Sequence, residues 1–157
     1  MMTDYQVAQS CEGACICFRY MYWTDWGETA KIERMGMDGI EGSRSILVSS
    51  NIFWPNGLTL DYDENRMFWT DARLRYIHSA NLDGSDRRVI IRGSLPHPFA
   101  ITLSEDTIYW TDWHLRAIFS CDKANGSNIR MITDELNLPM DIHVMDARRQ
   151  PSGEALC

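Results

Sequence analysis

Three aspartates recur at one position of a repeated tetrapeptide. Asp25, Asp71 and Asp112 close Tyr22-Trp23-Thr24-Asp25, Phe68-Trp69-Thr70-Asp71 and Tyr109-Trp110-Thr111-Asp112. Carboxylates can act as general acids, bases or metal ligands. Such chemistry needs different groups converging on one point, whereas here one group is copied from unit to unit. Copies at a fixed repeat position point to one local hydrogen-bond network made again in each unit. The tetrapeptide Tyr and Trp residues read as packing groups, each able to bury ~150–250 Å². The four histidines, His78, His97, His114 and His143, invite an acid-switch reading, because imidazole as a group titrates near endosomal pH. They fall at different repeat positions and lack metal-type spacing, so surface or hydrogen-bonded imidazoles are expected. Cys11, Cys15 and Cys17 read either as a metal knuckle or as a remnant of a disulfide module. With no fourth ligand nearby, neither is specific, and no role is assigned. Cys121 reads as a buried thiol. Asn125-Gly126-Ser127 is a glycosylation sequon, expected at a hairpin tip.

The elements that position these residues follow from the repeat. The motif tryptophans are spaced by 46 and 41 residues. Each motif is followed by an Ile (Ile32, Ile77, Ile118) and then by Asp38-Gly39, Asp83-Gly84 or Asn125-Gly126. Such dipeptides supply the positive φ angles of a two-residue hairpin. A β-rich run closes each unit: Ser45–Val48, Val89–Ile91 and Ile129–Ile132. An upstream run, Pro55–Asp61 or Pro98–Leu103, precedes the second and third motifs. A further copy, Pro139–Val144, has no motif after it. No helical period competes. Four short strands per unit of this length make the blade of a β-propeller, so the fold is all-β with about three blades. The expected division is a leader over 1–19 with no assigned fold, a partial blade of three strands over 20–50, blades over 51–93 and 94–136, and a closing strand over 137–150.

Composition agrees. The chain has 157 residues, 45% hydrophobic and 24% charged, with a formal net charge of −7. That balance excludes a nucleic-acid binder, and no apolar run is long enough for a membrane span. No secretory signal is legible in residues 1–19.

Several ordered motifs then carry a resemblance. They include Trp23–Glu28, Lys31–Arg34, Met37–Gly39, Trp54–Tyr62, Ile77-His78, Asn81–Gly84, Gly93–Ala100, Met140–His143 and Arg149–Pro151. Over about residues 20–157 the chain resembles the class B repeats (Tyr-Trp-Thr-Asp, or YWTD, repeats) of the low-density lipoprotein receptor relatives. It is most similar to the first propeller of their Wnt co-receptor branch. The resemblance implies a six-bladed YWTD propeller, of which this chain carries the last half. Residues 151–157 would begin an EGF-like module, with Cys157 its first cysteine. Residues 1–19 depart from the family, which places an Arg where this chain has Ser10.

The same resemblance implies a non-enzymatic, ligand-binding function in a single-pass cell-surface receptor that is glycosylated and endocytosed. The repeat alone brings Trp26, Trp54, Asn56, His97, Phe99 and Trp113 around one mouth of the channel, and the resemblance adds Met140. By resemblance, that mouth captures secreted proteins: Wnt proteins, and Dickkopf- or sclerostin-like antagonists carrying an Asn-x-Ile segment that Asn56 would pair. Association with a Frizzled receptor would come through the parent protein. No nucleic acid, metal or cofactor is implied. The alternatives are an endocytic lipoprotein-receptor-type propeller that aids ligand release, a hydrolase or lyase on a similar propeller, and a truncated product with no role of its own. Two copies exchanging closing strands would complete a ring as a homodimer.

Overall fold

A computed structural model describes residues 5–12, 16–40 and 42–145, with side chains placed from Tyr20 onward. The described residues form twelve strands in three four-stranded antiparallel sheets. The first sheet holds β1 (Tyr5–Glu12), β2 (Ile16–Asp25), β3 (Lys31–Gly36) and β4 (Ser45–Val48). The second holds β5 (Pro55–Asp61), β6 (Arg66–Asp71), β7 (Tyr76–Asn81) and β8 (Arg88–Arg92). The third holds β9 (Pro98–Ser104), β10 (Thr107–Asp112), β11 (Ala117–Asp122) and β12 (Arg130–Thr133). Strand order follows chain order in every sheet, as in propeller blades. The first strands neighbour one another, so β1, β5 and β9 form the inner edge.

Alternation in the motif strand decides what each blade buries. Trp69 packs in the core between the first and second sheets with Tyr22, Ile32, Leu58 and Leu60. Phe68, on the opposite face of β6, packs between the second and third sheets with Trp110, Ile77, Ile101 and Ile108. The motif Tyr or Phe therefore faces the following blade and the motif Trp faces the preceding one. Trp23 and Tyr109 fit the rule. Each faces a side that no blade covers among the described residues, and each is only half-buried. Arg44 lies over the Trp23 ring at 5.4 Å.

Three expectations need correction. First, the leader is not foldless throughout. Tyr5–Glu12 supplies a fourth strand, and β2 begins at Ile16 rather than near residue 20. Any strand-competent run can pair the otherwise bare edge of a motif strand. The pairing differs from that of the true repeats, however. β1 and β2 run in straight register from Tyr5↔Trp23 to Glu12↔Ile16, with Cys11 opposite Cys17. The β5–β6 and β9–β10 pairs instead carry a bulge at Asn56-Gly57 and Phe99-Ala100. At that bulge Thr70 Oγ1 accepts from Gly57 N at 3.0 Å, and Thr111 Oγ1 accepts from Ala100 N at 3.0 Å. Thr24 Oγ1 is buried with no such partner among the described residues.

Second, the closing strand expected over 137–150 is not a strand across 137–145, because no second strand of its own stands beside it among the described residues. The segment is held instead by Arg116 Nη2 donating to Asn137 Oδ1 at 2.7 Å and Trp113 Nε1 donating to Pro139 O at 2.8 Å. Residues 146–157, with Cys157 and the expected EGF-like start, lie outside the described residues, as does Cys15.

Third, the Asp-Gly and Asn-Gly turns are longer than two residues. β7 ends at Asn81 and β8 starts at Arg88. Only the glycines of these dipeptides have positive φ (70° at Gly39, 87° at Gly84, 69° at Gly126). The preceding residue is selected for its side chain. Asp38, Asp83 and Asn125 each accept a hydrogen bond at Oδ1 from the backbone N two residues on, at 3.1, 2.9 and 2.9 Å. The glycine also permits close approach. A Cβ on Gly84 would lie 2.5 Å from Leu47 O, and one on Gly126 would lie 2.3 Å from Ile90 O. The tips at Gly84 and Gly126 therefore seat on the outer strand of the preceding blade.

Candidate functional site

The motif aspartates end strands, and their carboxylates hold loops. Asp71 Oδ2 accepts from Phe53 N at 2.7 Å and Trp54 N at 3.1 Å, and Oδ1 accepts from Leu74 N at 2.8 Å. Asp112 repeats this with His97 N and Leu115 N, both at 2.9 Å. Both aspartates are fully buried. Among the described residues, Asp25 Oδ1 accepts from Gly27 N alone, at 3.1 Å. The acceptor positions of Asp71 and Asp112 are spent on backbone, so these carboxylates shape one end of their blades. Among the described residues, no group of three or more His, Cys, Asp and Glu could hold a metal ion.

The loops held this way carry the predicted mouth. Trp54 and His97 occupy equivalent places, their carbonyls accepting from Ala72 N and Trp113 N at 3.1 and 3.0 Å. Trp26 meets Trp54 edge-on, with ring centroids 6.4 Å apart. Phe99 stacks on Trp113 at 4.1 Å, and His97 stacks on the same indole at 5.6 Å. Trp113 Nε1 donates to Pro139 O at 2.8 Å, which brings Met140 to the same end. Asn56 stands between the two aromatic groups, its Nδ2 donating to Pro98 O at 3.3 Å. That bond orients the amide and leaves its oxygen without a hydrogen bond among the described residues. Trp54 and Met140 are each 40% exposed, so the mouth offers apolar surface to solvent.

Two residues at this end were not anticipated from the sequence. Phe53 is exposed. The Arg73 guanidinium lies 5.7 Å from the Trp54 ring centroid. The signal for Arg73 was its place after the motif, which the substitution of Ala72 for the Trp of neighbouring repeats obscured.

The remaining candidates lie elsewhere. His78 is buried, stacked on Tyr76 at 3.6 Å, and its Nδ1 accepts from Arg87 Nε at 3.0 Å. Burial first, and then the Arg87 and Arg92 charges, push its pKa down to about 4. It therefore remains neutral through endosomal pH. His114 and His143 are exposed, and His143 pairs with Asp141 at 2.9 Å. Cys121 is buried, and desolvation raises its thiol to about 12. Asn125 is exposed at its hairpin tip. The buried pair Lys123–Asp61, at 2.7 Å, also escaped the sequence reading. It links the third blade to the second, and Glu64 joins at 2.9 Å. Burial opposes the lysine's charge, but the Asp61 and Glu64 carboxylates outweigh it and hold the pKa above the ordinary value.

Stacked four-stranded blades, the second and third with their entry loops held by a motif aspartate, and aromatic residues gathered at one end, define the chain as part of a β-propeller. The family model for the low-density lipoprotein receptor repeat class B matches residues 19–62, 65–103 and 106–143. The chain belongs to that family. Among its curated relatives, the vitellogenin receptor Yl of Drosophila melanogaster is 38% identical over 137 residues, covering 87% of this chain and 7% of the receptor. The vitellogenin receptor of Solenopsis invicta is 34% identical over 137 residues, covering 87% of this chain and 8% of that protein. The chain therefore spans less than a tenth of these relatives. A solved nidogen/laminin complex contains a chain 32% identical, with a TM-score of 0.70, over 78% of this chain and 47% of that one. These named relatives support receptor-type YWTD repeats. They do not extend to the Wnt co-receptor branch.

Proposed function

We propose that these blades are part of the extracellular ligand-binding region of a cell-surface receptor, and that the mouth holds an extended segment of a secreted protein. The observation that carries this reading is Asn56. Its amide is oriented by Pro98 O between a Trp26/Trp54 group and a Phe99/Trp113 group. Apolar ligand residues would rest on the rings, while a ligand amide would exchange hydrogen bonds with Asn56. Buried polar anchors flanked by aromatics concentrate binding energy in this way. The finer assignment, a Wnt co-receptor whose ligands are Wnt proteins and Asn-x-Ile antagonists, rests on the motif resemblance around Trp54-Pro55-Asn56-Gly57. The test is calorimetric binding of an Asn-Ala-Ile peptide to the full chain and to Asn56→Ala. Equal affinity for both removes Asn56 from the site.

A second reading is favoured by the names of the curated relatives: an endocytic receptor of the vitellogenin-receptor type, with propeller-assisted ligand release. Its acid step would then fall to a histidine other than His78, which the fold holds neutral. Asn125, exposed at its tip, would carry a glycan in the secretory pathway. Loss of that glycan's mass in Asn125→Gln checks this.

A further inference from the structure

Among the described residues, Arg73 and Arg92 of this blade make no side-chain hydrogen bond or ion pair, and of the two only Arg73 lies over an aromatic ring. Arg75 donates to Leu95 O at 3.3 Å. Arg66 bridges Asn81, Ser79 and Asp86. Arg87 donates to Ser50 O, Asn51 O, Tyr76 Oη and His78 Nδ1. Arg88 pairs with Asp86 at 2.6 Å. The Arg73 side chain is exposed and lies over the Trp54 ring, and no carboxylate among the described residues forms an ion pair with it. It is not a repeat residue either, since the equivalent positions hold Gly27 and His114.

Its place in the fold is the mouth. Pro55 pairs with Asp71 at the end of the β5–β6 ladder. Asn56 and Arg73 therefore flank the same ladder end, with Trp54 between them in contact with Arg73. The chain is acidic overall, so a cation held against an aromatic ring with no anion of its own is a local departure. An indole face keeps the guanidinium partly desolvated and oriented. Its planar fork then matches a carboxylate with two parallel hydrogen bonds.

We propose that Arg73 is a specificity-determining residue of the mouth, selecting extended protein segments that place an Asp or Glu next to the residue bound at Asn56. This deepens the peptide-capture reading and rests on it. The chemistry is a non-covalent ion pair, at an exposed site where such pairs contribute modestly, so about a fivefold preference is expected.

The experiment titrates the full chain with two synthetic peptides and follows Trp fluorescence. Both contain Asn-Ala-Ile, and they differ only in Asp or Ser immediately before it. Wild type should bind the Asp peptide about fivefold more tightly, and high salt should shrink the advantage because exposed charges are screened. Arg73→Gln should bind both peptides equally, at the Ser-peptide affinity, and Arg73→Lys should recover part of the difference. Because Arg73 is exposed, these variants should keep the wild-type melting temperature. Equal wild-type affinities for the two peptides, or a preference that survives in Arg73→Gln, overturns the role of Arg73 and leaves peptide capture standing. Failure of wild type to bind either peptide overturns the capture reading, and this proposal with it.

Discussion

The turn glycines give a sharp test of how the blades are joined, because the repeat supplies its own control. Gly39, Gly84 and Gly126 share one turn position and similar φ values of 70°, 87° and 69°. Their surroundings differ. A Cβ at Gly39 would meet nothing within 4 Å, whereas at Gly84 and Gly126 it would fall 2.5 and 2.3 Å from a backbone carbonyl of the preceding blade. Placing Ala in the left-handed region costs about 1–2 kcal/mol wherever it occurs. Forcing apart a packed backbone contact adds roughly 1–3 kcal/mol, since the obstructing atom is a carbonyl and not a flexible side-chain end. Gly39→Ala should therefore cost about 1–2 kcal/mol, and Gly84→Ala and Gly126→Ala about 2–5 kcal/mol each. At about 2–4 °C per kcal/mol for a chain of this size, the melting temperature should fall by about 5 °C in the first case and about 10 °C in the others. Thermal melts followed by circular dichroism would measure this. Hydrogen exchange should show the added loss in β8 for Gly126→Ala and in β4 for Gly84→Ala, the strands those tips press on. Equal destabilisation by all three substitutions would refute the argument, because the hairpin tips would then contribute only their own conformation and not the seam between blades.

Other outcomes follow from the buried polar groups. Lys123→Met should destabilise the chain by about 3–5 kcal/mol in urea titration by leaving Asp61 buried without its cation, and Asp61→Asn added to it should restore most of that loss. His78 takes a proton near 6.5 when unfolded but near 4 when folded, so the folded state is favoured above pH 6.5. That stabilisation should drain away as pH falls from 6.5 toward 4, by at most roughly 3 kcal/mol. Urea titrations at several pH values should show the slope in wild type and its loss in His78→Phe. Cys121, with its thiol near 12, should resist alkylation at pH 8 until the chain is denatured, as peptide mapping by mass spectrometry can read.

Period and motif made much of the fold legible before any coordinates. Residues that recur at one repeat position proved to be those that hold the blades: the motif aspartates on their loops, the motif threonines at the bulges, the turn glycines on the neighbouring strand. The misreadings share a physical cause, which is dependence on a partner distant in sequence. Tyr5–Glu12 lacks the Pro-led bulge pattern, yet it pairs because β2 offers a bare edge. Pro139–Val144 has the pattern but no motif strand of its own, so it forms no ladder over the described residues. The Lys123–Asp61 pair spans 62 positions, and no local pattern announces it.

The mouth obeys the opposite rule. Equivalent positions there hold different residues: Trp54 and His97 before the first strand, Asn56 and Phe99 at the bulge, Trp26, Ala72 and Trp113 after the motif, Gly27, Arg73 and His114 one place further. The scaffold at these points is the same in the second and third blades, because the Asp carboxylate and Thr hydroxyl that set the loops are repeated there. Differences among the repeats therefore change what each blade presents and leave the path of its backbone alone. A repeat-based reading finds such positions only by subtraction, and Arg73 escaped because Ala72 interrupted the aromatic series beside it. The same subtraction gives the mouth its asymmetry. An amide, a cation and two aromatic groups lie at distinct places around one opening, so a bound segment would have a single orientation and register.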